Sequence, residues 1–328
     1  MRRLMTTAAL ATAAALALTA CGTTEPAADS DDAKKTTEAI TLTDASGKKV
    51  ELDGPAKKVV GTEWHEVELL VSLGVDPVGV ADVKGYTTWD QAVPLKNEPK
   101  DIGTRGEPSM DTIAALKPDL IVASTDLPPA AVKQLREVAP VVEVRSADAA
   151  DPIGQMNENL DLLAKATGTT AQAEKLKEGF ETKLAEGKKA IADAGLAGAK
   201  YAFADGYDIS NQVSIRPYTS GSLIGAVNER LGLKNDWKVK GDESYGLGTT
   251  DVEGLTELSD DVHFAYIGND GDKSSTPFTD ALAKDKVWTS LPFVKKGNVH
   301  RLPDGIWMFG GPESMNQYID SVVAALTK

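Results

Sequence analysis

The sequence has a single cysteine, Cys21, among its 328 residues, so no disulfide bond can form within the chain. Common enzyme motifs are also missing. Residues 65–69 begin like a zinc-protease helix but lack its second histidine, and neither a Gly-x-Ser-x-Gly elbow nor a Gly-x-x-x-x-Gly-Lys phosphate loop occurs. His65, His263 and His300 are far apart in sequence, and His263 has the apolar neighbours of a core position. We therefore expect no enzyme, no catalytic residue and no resident metal or cofactor.

Long apolar runs are scarce, and the longest one begins the chain. Arg2 and Arg3 precede residues 4–20, an uncharged stretch of mostly Ala, Leu and Thr that is typical of a secretory signal peptide. The Leu-Thr-Ala-Cys sequence that ends at Cys21 resembles the bacterial lipobox, in which the cysteine receives lipid before cleavage. We predict a signal peptide over residues 1–20 and lipid anchoring at the extracytoplasmic face of the cell membrane. The alternative is an ordinary signal peptide with an incidental cysteine.

Basic residues are too few for a nucleic-acid partner. Without Arg2 and Arg3 the chain keeps 33 Lys+Arg against 49 Asp+Glu, a net charge of −16, whereas nucleic-acid binding requires a basic face. The negative net charge does not exclude an anionic ligand in a locally basic cleft. After Cys21, residues 21–38 contain almost no large apolar side chain and are predicted to form a flexible tether.

The rest of the chain alternates short apolar strands with helices in two stretches, residues 39–151 and 196–328. Between them, residues 152–195 have apolar residues at helical spacing and no clear strand, although Gly168 and Gly179 interrupt the pattern. The alternation predicts an α/β fold of two lobes with parallel sheets, joined by a long connecting helix. A ligand cleft is expected between the lobes.

One helix–strand unit occurs once in each lobe. A helix predicted to begin at Ser109 and run to residue 116 is followed by an Asp and the apolar strand 120–123. A helix predicted over residues 252–258 leads in the same way to a strand over 262–267. This similarity supports two lobes of related architecture.

Aromatic residues make up only 5% of the chain, yet several lie in Gly- or Pro-flanked segments predicted as loops. Aromatic side chains in such loops often form the wall of a ligand cleft, although local packing is the alternative for each. Arg105 lies between a strand end and a helix start, where it can donate to an oxygen-rich ligand or pair with Glu107. Arg216 is a second candidate, because it lies in a predicted loop next to Tyr218. The aromatic candidates are Tyr86, Trp89, Tyr218, Tyr245, Trp307 and Phe309.

Seven segments carry a resemblance to a known family. They are residues 62–74, 77–82, 86–89 (Tyr-Thr-Thr-Trp), 101–108 (Asp-Ile-Gly-Thr-Arg-Gly-Glu-Pro), 116–121, 287–294 and 306–310 (Ile-Trp-Met-Phe-Gly). Together they resemble the ferric-siderophore-binding proteins of ABC importers, especially the ferric-hydroxamate and ferric-dicitrate binders. The resemblance covers nearly all of the chain after residue 55. It implies two Rossmann-like lobes joined by one long helix, the class III periplasmic-binding-protein type.

The same resemblance implies a monomeric substrate-binding lipoprotein that captures a ferric siderophore and delivers it to an ABC permease. A siderophore saturates Fe(III) with hard oxygen donors, so iron enters only as part of the cargo. By this resemblance Arg105 bonds the iron-bound oxygens, and Glu253 in the second lobe docks on the permease. The pocket residues that it implies are Trp89, Tyr245, Trp307 and Phe309.

The sequence departs from the hydroxamate binders at two places. Residues 124–129 lack the tyrosine that those proteins have in this loop, so hydroxamate and citrate complexes both stay open. The first-lobe docking position falls near Lys133, where Asp126 is the neighbouring acid. Heme or a corrinoid is the alternative cargo, and an exported enzyme or scaffold on the same fold is the alternative from another class.

Overall fold

The computed structural model describes residues 38–210 and 212–328. The predicted signal peptide, Cys21 and nearly all of the predicted tether lie outside the described residues. None of the helices in the described part of the chain combines the length and apolar character needed to cross a membrane.

The first part of the described chain forms a hairpin and a parallel sheet. The strands are β1 (Ile40–Thr43), β2 (Lys49–Leu52), β3 (Val59–Gly61), β4 (Gly79–Val80), β5 (Lys100–Asp101), β6 (Leu120–Ser124) and β7 (Val141–Val144). Strands β1 and β2 pair antiparallel, and the others form a sheet of order β5-β4-β3-β6-β7 with parallel pairing throughout. Strands β3, β6 and β7 are buried along their length, which explains why their sequences are mostly apolar.

Four helices accompany this sheet: α1 (Trp64–Ser72), α2 (Val83–Trp89), α3 (Met110–Leu116) and α4 (Pro129–Val138). Helix α3 begins as predicted, because the Ser109 hydroxyl accepts a hydrogen bond from the backbone N–H of Thr112. Helix α2 was not predicted, and residues 86–89 were assigned to a loop. Asp82 begins α2 by accepting the backbone N–H of Gly85 at 3.0 Å.

The long connecting helix predicted over residues 152–195 is interrupted once. The segment forms two helices, α5 (Pro152–Thr167) and α6 (Thr170–Asp193). Gly168 separates them with a φ of 71°, the left-handed conformation that commonly ends a helix. Gly179, by contrast, lies inside α6 without breaking it.

Helix α6 contributes to the cores of both lobes. Ala173 and Leu176, near its start, pack in the hydrophobic core beneath the first sheet. Phe180, Leu184 and Ile191 pack in the core of the second lobe. The two lobes are therefore joined by a helix that is buried against each of them.

The second lobe repeats the architecture. Its strands are β8 (Lys200–Ile209), β9 (Gln212–Pro217), β10 (Lys234–Asn235), β11 (His263–Tyr266) and β12 (Val299–Arg301). The order is β10-β8-β11-β12 with parallel pairing, and β9 pairs antiparallel with the far end of β8. The helices are α7 (Leu223–Arg230), α8 (Lys286–Ser290), α9 (Pro292–Lys295) and α10 (Pro312–Leu326).

The helix predicted over residues 252–258 is a shorter 3₁₀ turn, Glu253–Glu257. Gly254 lies in this turn, and glycine is a poor helix former. Leu258 then takes an extended conformation that ends the turn. The helix–strand unit identified in the sequence therefore has an α-helix in the first lobe and a 3₁₀ turn in the second.

A buried carboxyl group fastens the first lobe to the second. Glu68 of α1 accepts hydrogen bonds from the backbone N–H of Ser314 at 3.1 Å and from its hydroxyl at 2.9 Å. Ser314 lies in the first turn of α10, where backbone N–H groups have no partner within the helix. A Cβ on Gly310 would lie 2.0 Å from the Glu68 carboxyl, so glycine permits the close approach.

A second buried carboxyl, Asp90, lies next to Glu68. Burial, and then the nearby charge of Glu68, raise the pKa of Asp90 to about 10. Burial also raises the pKa of Glu68. Because two neighbouring carboxylates cannot both stay charged in a buried site, we infer that the pair holds one proton at neutral pH.

The stability of the protein is expected to fall as pH rises from about 7 to 9. Unfolded carboxyls titrate near pH 4, whereas burial raises the pKa of Glu66 to about 8 and that of Asp90 to about 10. The folded state therefore binds more protons across this range, and each group lowers the unfolding free energy by at most about 1.4 kcal/mol per pH unit. Thermal unfolding across the range measures the trend.

Asp90→Asn resembles the protonated carboxyl and should flatten this decline. Asp76→Asn, at an exposed position, is the matched control and should leave the decline unchanged. A melting temperature that rises steadily from pH 7 to pH 9 would contradict the assignment.

Candidate ligand-binding cleft

The carboxyl ends of both parallel sheets meet at one cavity of about 430 Å³. Ligands of open α/β sheets commonly bind outside the carboxyl ends of the strands, and the volume suits a small molecule. The first lobe contributes Glu63, Trp64, His65, Trp89, Arg105 and Ser146 to the lining. The second lobe contributes Tyr207, Arg216, Tyr245, Leu247, Asp272, Trp307 and Phe309.

Arg105 is presented by a tight turn after β5. Gly103 has a φ of +99°, and its position pairs with that of Pro108 across the turn. The Arg105 guanidinium lies 3.9 Å from the centre of the Trp64 ring, and its Nη1 lies 3.2 Å from a carboxyl oxygen of Glu63. The ion pair is therefore with Glu63 rather than with the neighbouring Glu107, the alternative considered from the sequence.

A row of aromatic rings connects the two sides of the cavity. Trp64 meets Trp307 edge-on with 4.9 Å between ring centres, and Trp307 meets Phe309 in the same way at 5.1 Å. Tyr245 packs on the other side of Phe309 at 5.7 Å. Edge-to-face contacts of this kind fix ring orientations, so the row forms a rigid apolar wall.

Arg216 faces the same wall from the second lobe. It lies on strand β9 and not in the loop predicted for it, because β9 continues to Pro217. Its Nε donates to Asp205 at 2.8 Å, its Nη2 contacts the other oxygen of the same carboxylate, and its guanidinium carbon lies 5.5 Å from the Phe309 ring centre. Burial raises the pKa of Asp205 and the neighbouring Arg216 opposes that rise.

Two predicted cleft residues do not line the cavity. Tyr86 is fully buried beneath α2, where its hydroxyl donates to the carbonyl of Val93 at 2.6 Å. Tyr218 is also buried, and its hydroxyl lies 3.2 Å from both Arg216 and Asp205. Helical spacing places Tyr86 on the core side of α2, whereas Trp89 at the helix end reaches the cavity.

The structure brings the other six predicted residues together around the cavity. Trp89 and Arg105 lie before and after β5, and Arg216 lies on β9. The other three come from loops of the second lobe. The six residues are Trp89, Arg105, Arg216, Tyr245, Trp307 and Phe309.

Several lining residues were missed in the sequence. Glu63, Trp64 and His65 follow β3 directly, and this position at the carboxyl edge of a parallel sheet was the available signal. Burial lowers the pKa of His65 to about 4, so its imidazole is neutral at pH 7. Its Nε2 is buried without a hydrogen-bond partner. Tyr207 and Asp272 gave no comparable signal, because long-range packing brings them to the cavity.

A hydrogen bond from the Tyr245 hydroxyl to the Asp126 carboxylate links the two lobes beside the cavity. Asp126 is also the acid considered next to the first-lobe docking position, and that role stays a prediction. Glu253 lies exposed on its 3₁₀ turn, outside the cavity lining. Its role in docking stays a prediction.

Two of the three histidines are neighbours in the fold. His263 and His300 stack on adjacent strands with 3.2 Å between Nδ1 and Nε2. His263 is only half-buried, so its predicted core position is wrong. Within residues 38–210 and 212–328, no group of three or more His, Cys, Asp or Glu side chains is placed to hold a metal ion.

The effects of substituting Arg216 and buried Asp205 on the unfolding free energy should be strongly coupled. Arg216→Met is expected to cost about 2–3 kcal/mol of unfolding free energy, less than at a fully buried pair because a third of Arg216 is exposed. Asp205→Asn in the same chain should restore most of this loss, because no buried carboxylate is then left without its counter-ion. Urea unfolding of both single variants and the double variant measures the coupling. Simple additivity of the two costs would contradict it.

The chain is similar to several known proteins. Residues 59–305 match the periplasmic binding protein family. The chain is 25% identical to the probable siderophore-binding lipoprotein YfiY of Bacillus subtilis over 94% of both chains. It is 28% identical to the Fe(3+)-citrate-binding protein YfmC of the same organism over 79% of this chain and 77% of that one.

A solved structure gives a similar result. The siderophore-binding protein FhuD of Vibrio cholerae, crystallised with Fe3+-Desferal, superposes with a TM-score of 0.72 and 25% sequence identity. The match covers 83% of this chain and 98% of the Vibrio chain.

Proposed function

The chain belongs to the periplasmic binding protein family, and from this premise we propose that it captures a ferric siderophore and delivers it to an ABC importer. One observation carries the proposal. Arginines from both lobes, Arg105 and Arg216, face a wall of aromatic rings in a cavity at the carboxyl ends of both sheets. Guanidinium groups donate to oxygen-rich ligands, and the rings contact the apolar parts of a chelator.

The protein performs no chemistry on this cargo. In a ferric siderophore, oxygen donors of the chelator already surround the metal, so the binding protein needs no metal ligand of its own. The polar groups of the cleft bind and orient the complex, and Arg105 and Arg216 donate to the oxygens on its surface. Heme or a corrinoid is the alternative cargo.

The N-terminal sequence supports anchoring of the protein at the membrane. A lipid on Cys21, followed by the tether of residues 21–38, would keep a monomeric binding protein at the extracytoplasmic face of the membrane. The exposed Glu253 would then contact the permease. This part of the proposal is supported by the lipobox-like sequence and by the lipoprotein name of the Bacillus relative YfiY.

Binding can be followed by tryptophan fluorescence, because Trp64, Trp89 and Trp307 line the cavity. Titration with ferric hydroxamates or ferric citrate should give saturable quenching, whereas heme and a corrinoid should not. Arg105→Ala should weaken the preferred ferric complex by roughly tenfold to a hundredfold, the effect of losing a charged hydrogen-bond donor.

The control is Arg230→Ala, which removes an exposed arginine that pairs with Glu181 on the surface. It should bind like the unchanged protein, and circular dichroism should show both variants folded. Absence of quenching by every ferric siderophore would overturn the proposed function. Unchanged affinity in folded Arg105→Ala would show that the binding site lies elsewhere.

A further inference from the structure

The cavity lining carries no excess positive charge. Its cations are Arg105 and Arg216, and its carboxyl groups are Glu63 and Asp272. No lysine is found among the described residues of the lining. His65 adds no charge at pH 7, because burial lowers its pKa to about 4. Two arginines and two carboxyl groups therefore approximately cancel.

Each arginine also has its own nearby carboxyl partner. Arg105 pairs with Glu63 at 3.2 Å, and Arg216 pairs through two of its nitrogens with buried Asp205. A guanidinium has five N–H donors, so both groups keep donors for a ligand after these contacts. The cleft therefore offers hydrogen bonds to oxygen atoms while its positive charge is already compensated.

Two further carboxyl groups lie close to the cavity. Asp126 contacts the Tyr245 hydroxyl at the junction of the lobes, and Asp205 lies directly behind Arg216. The whole chain carries a formal net charge of −14. The field of such a protein disfavours the approach and binding of polyanions.

Ferric complexes differ in the charge that they bring to this cleft. A hydroxamate loses one proton when it binds iron, so three hydroxamates cancel the charge of Fe(III). A trihydroxamate with a free amine is a cation. Three catecholates lose two protons each and leave a trianion, and ferric dicitrate is also an anion. All of these complexes present oxygen atoms to the protein. Their net charge is therefore the property by which the cleft can distinguish them.

We propose that the cleft selects neutral or cationic ferric trihydroxamates over anionic ferric citrate and catecholate complexes. This selection rests on the proposed function and specifies its cargo. The compensated arginines bind the hydroxamate oxygens, and the row from Trp64 through Trp307 to Phe309 contacts the aliphatic arms. Glu63 and Asp272 set the selectivity by keeping the lining from becoming positive.

The test compares four complexes by fluorescence quenching of the full-length protein in mild detergent. They are ferric Desferal (cationic), ferrichrome (neutral), ferric dicitrate and a ferric triscatecholate (both anionic). The two hydroxamates should bind at least roughly tenfold more tightly than either anion at low salt, as expected for several uncompensated charges near a carboxyl-rich site. Added salt should narrow the difference.

Glu63→Gln and Asp272→Asn each remove one negative charge from the lining. Asn can keep the Oδ1 acceptor through which Asp272 holds the backbone N–H of Ser274 at 3.0 Å, so this variant should fold normally. Each substitution should strengthen ferric dicitrate binding by roughly threefold or more and narrow the ratio of the ferrichrome affinity to the ferric dicitrate affinity. Glu229→Gln, an equal change of charge at an exposed residue outside the lining, should alter neither.

The outcomes separate the two proposals. Binding of either anionic complex as tightly as the hydroxamates would overturn the charge selection and leave the proposed function intact. Equal shifts from Asp272→Asn and Glu229→Gln would also overturn it. Failure of all four complexes to bind would overturn the proposed function and the selection together.

Discussion

The buried contact between Glu68 and the start of α10 fastens the two lobes to each other. A buried carboxyl on the first helix of one lobe satisfies backbone and hydroxyl donors at the start of the last helix of the other. Trp307 and Phe309 lie just before α10, so this contact also fixes the end of the aromatic row. Together with α6, which is packed into both cores, it favours a preformed cleft. Closing the lobes further would require bending a packed helix rather than moving a loop hinge.

The cleft itself combines two requirements that usually conflict. Its wall is aromatic and its ligand-facing donors are charged, and a charge beside an apolar wall is costly unless it is paired. Arg105 meets the requirement by stacking on Trp64 and pairing with Glu63, and Arg216 by its contacts with Asp205. The ion pairs that stabilise the two arginines beside the apolar wall also remove their net attraction for anions. Stability of the site and choice of ligand therefore have one physical origin.

Much of the fold could be predicted from sequence because strand runs such as 120–123 are apolar and helix starts such as Ser109 have local signals. The break at Gly168 was visible as a glycine, but its left-handed conformation was not. Arg105 could be predicted because one short turn presents it after β5. Tyr207, Asp272 and the partner of Arg216 could not, because pairing of β8 with β9 and packing between lobes place them. Tyr86 was predicted to line the cleft, but helix α2 turns its side chain toward the core.

The claim that the cleft is preformed can be tested by the distance between the lobes. Spin labels on cysteines replacing exposed Lys133 in α4 and Glu229 in α7, in a Cys21→Ser background, report this distance by pulsed electron paramagnetic resonance. The distance distribution should stay the same within about 2 Å when ferric Desferal is added, as in other preorganised complexes. A ligand-induced shortening well beyond that range would show that the lobes close, and would contradict the account.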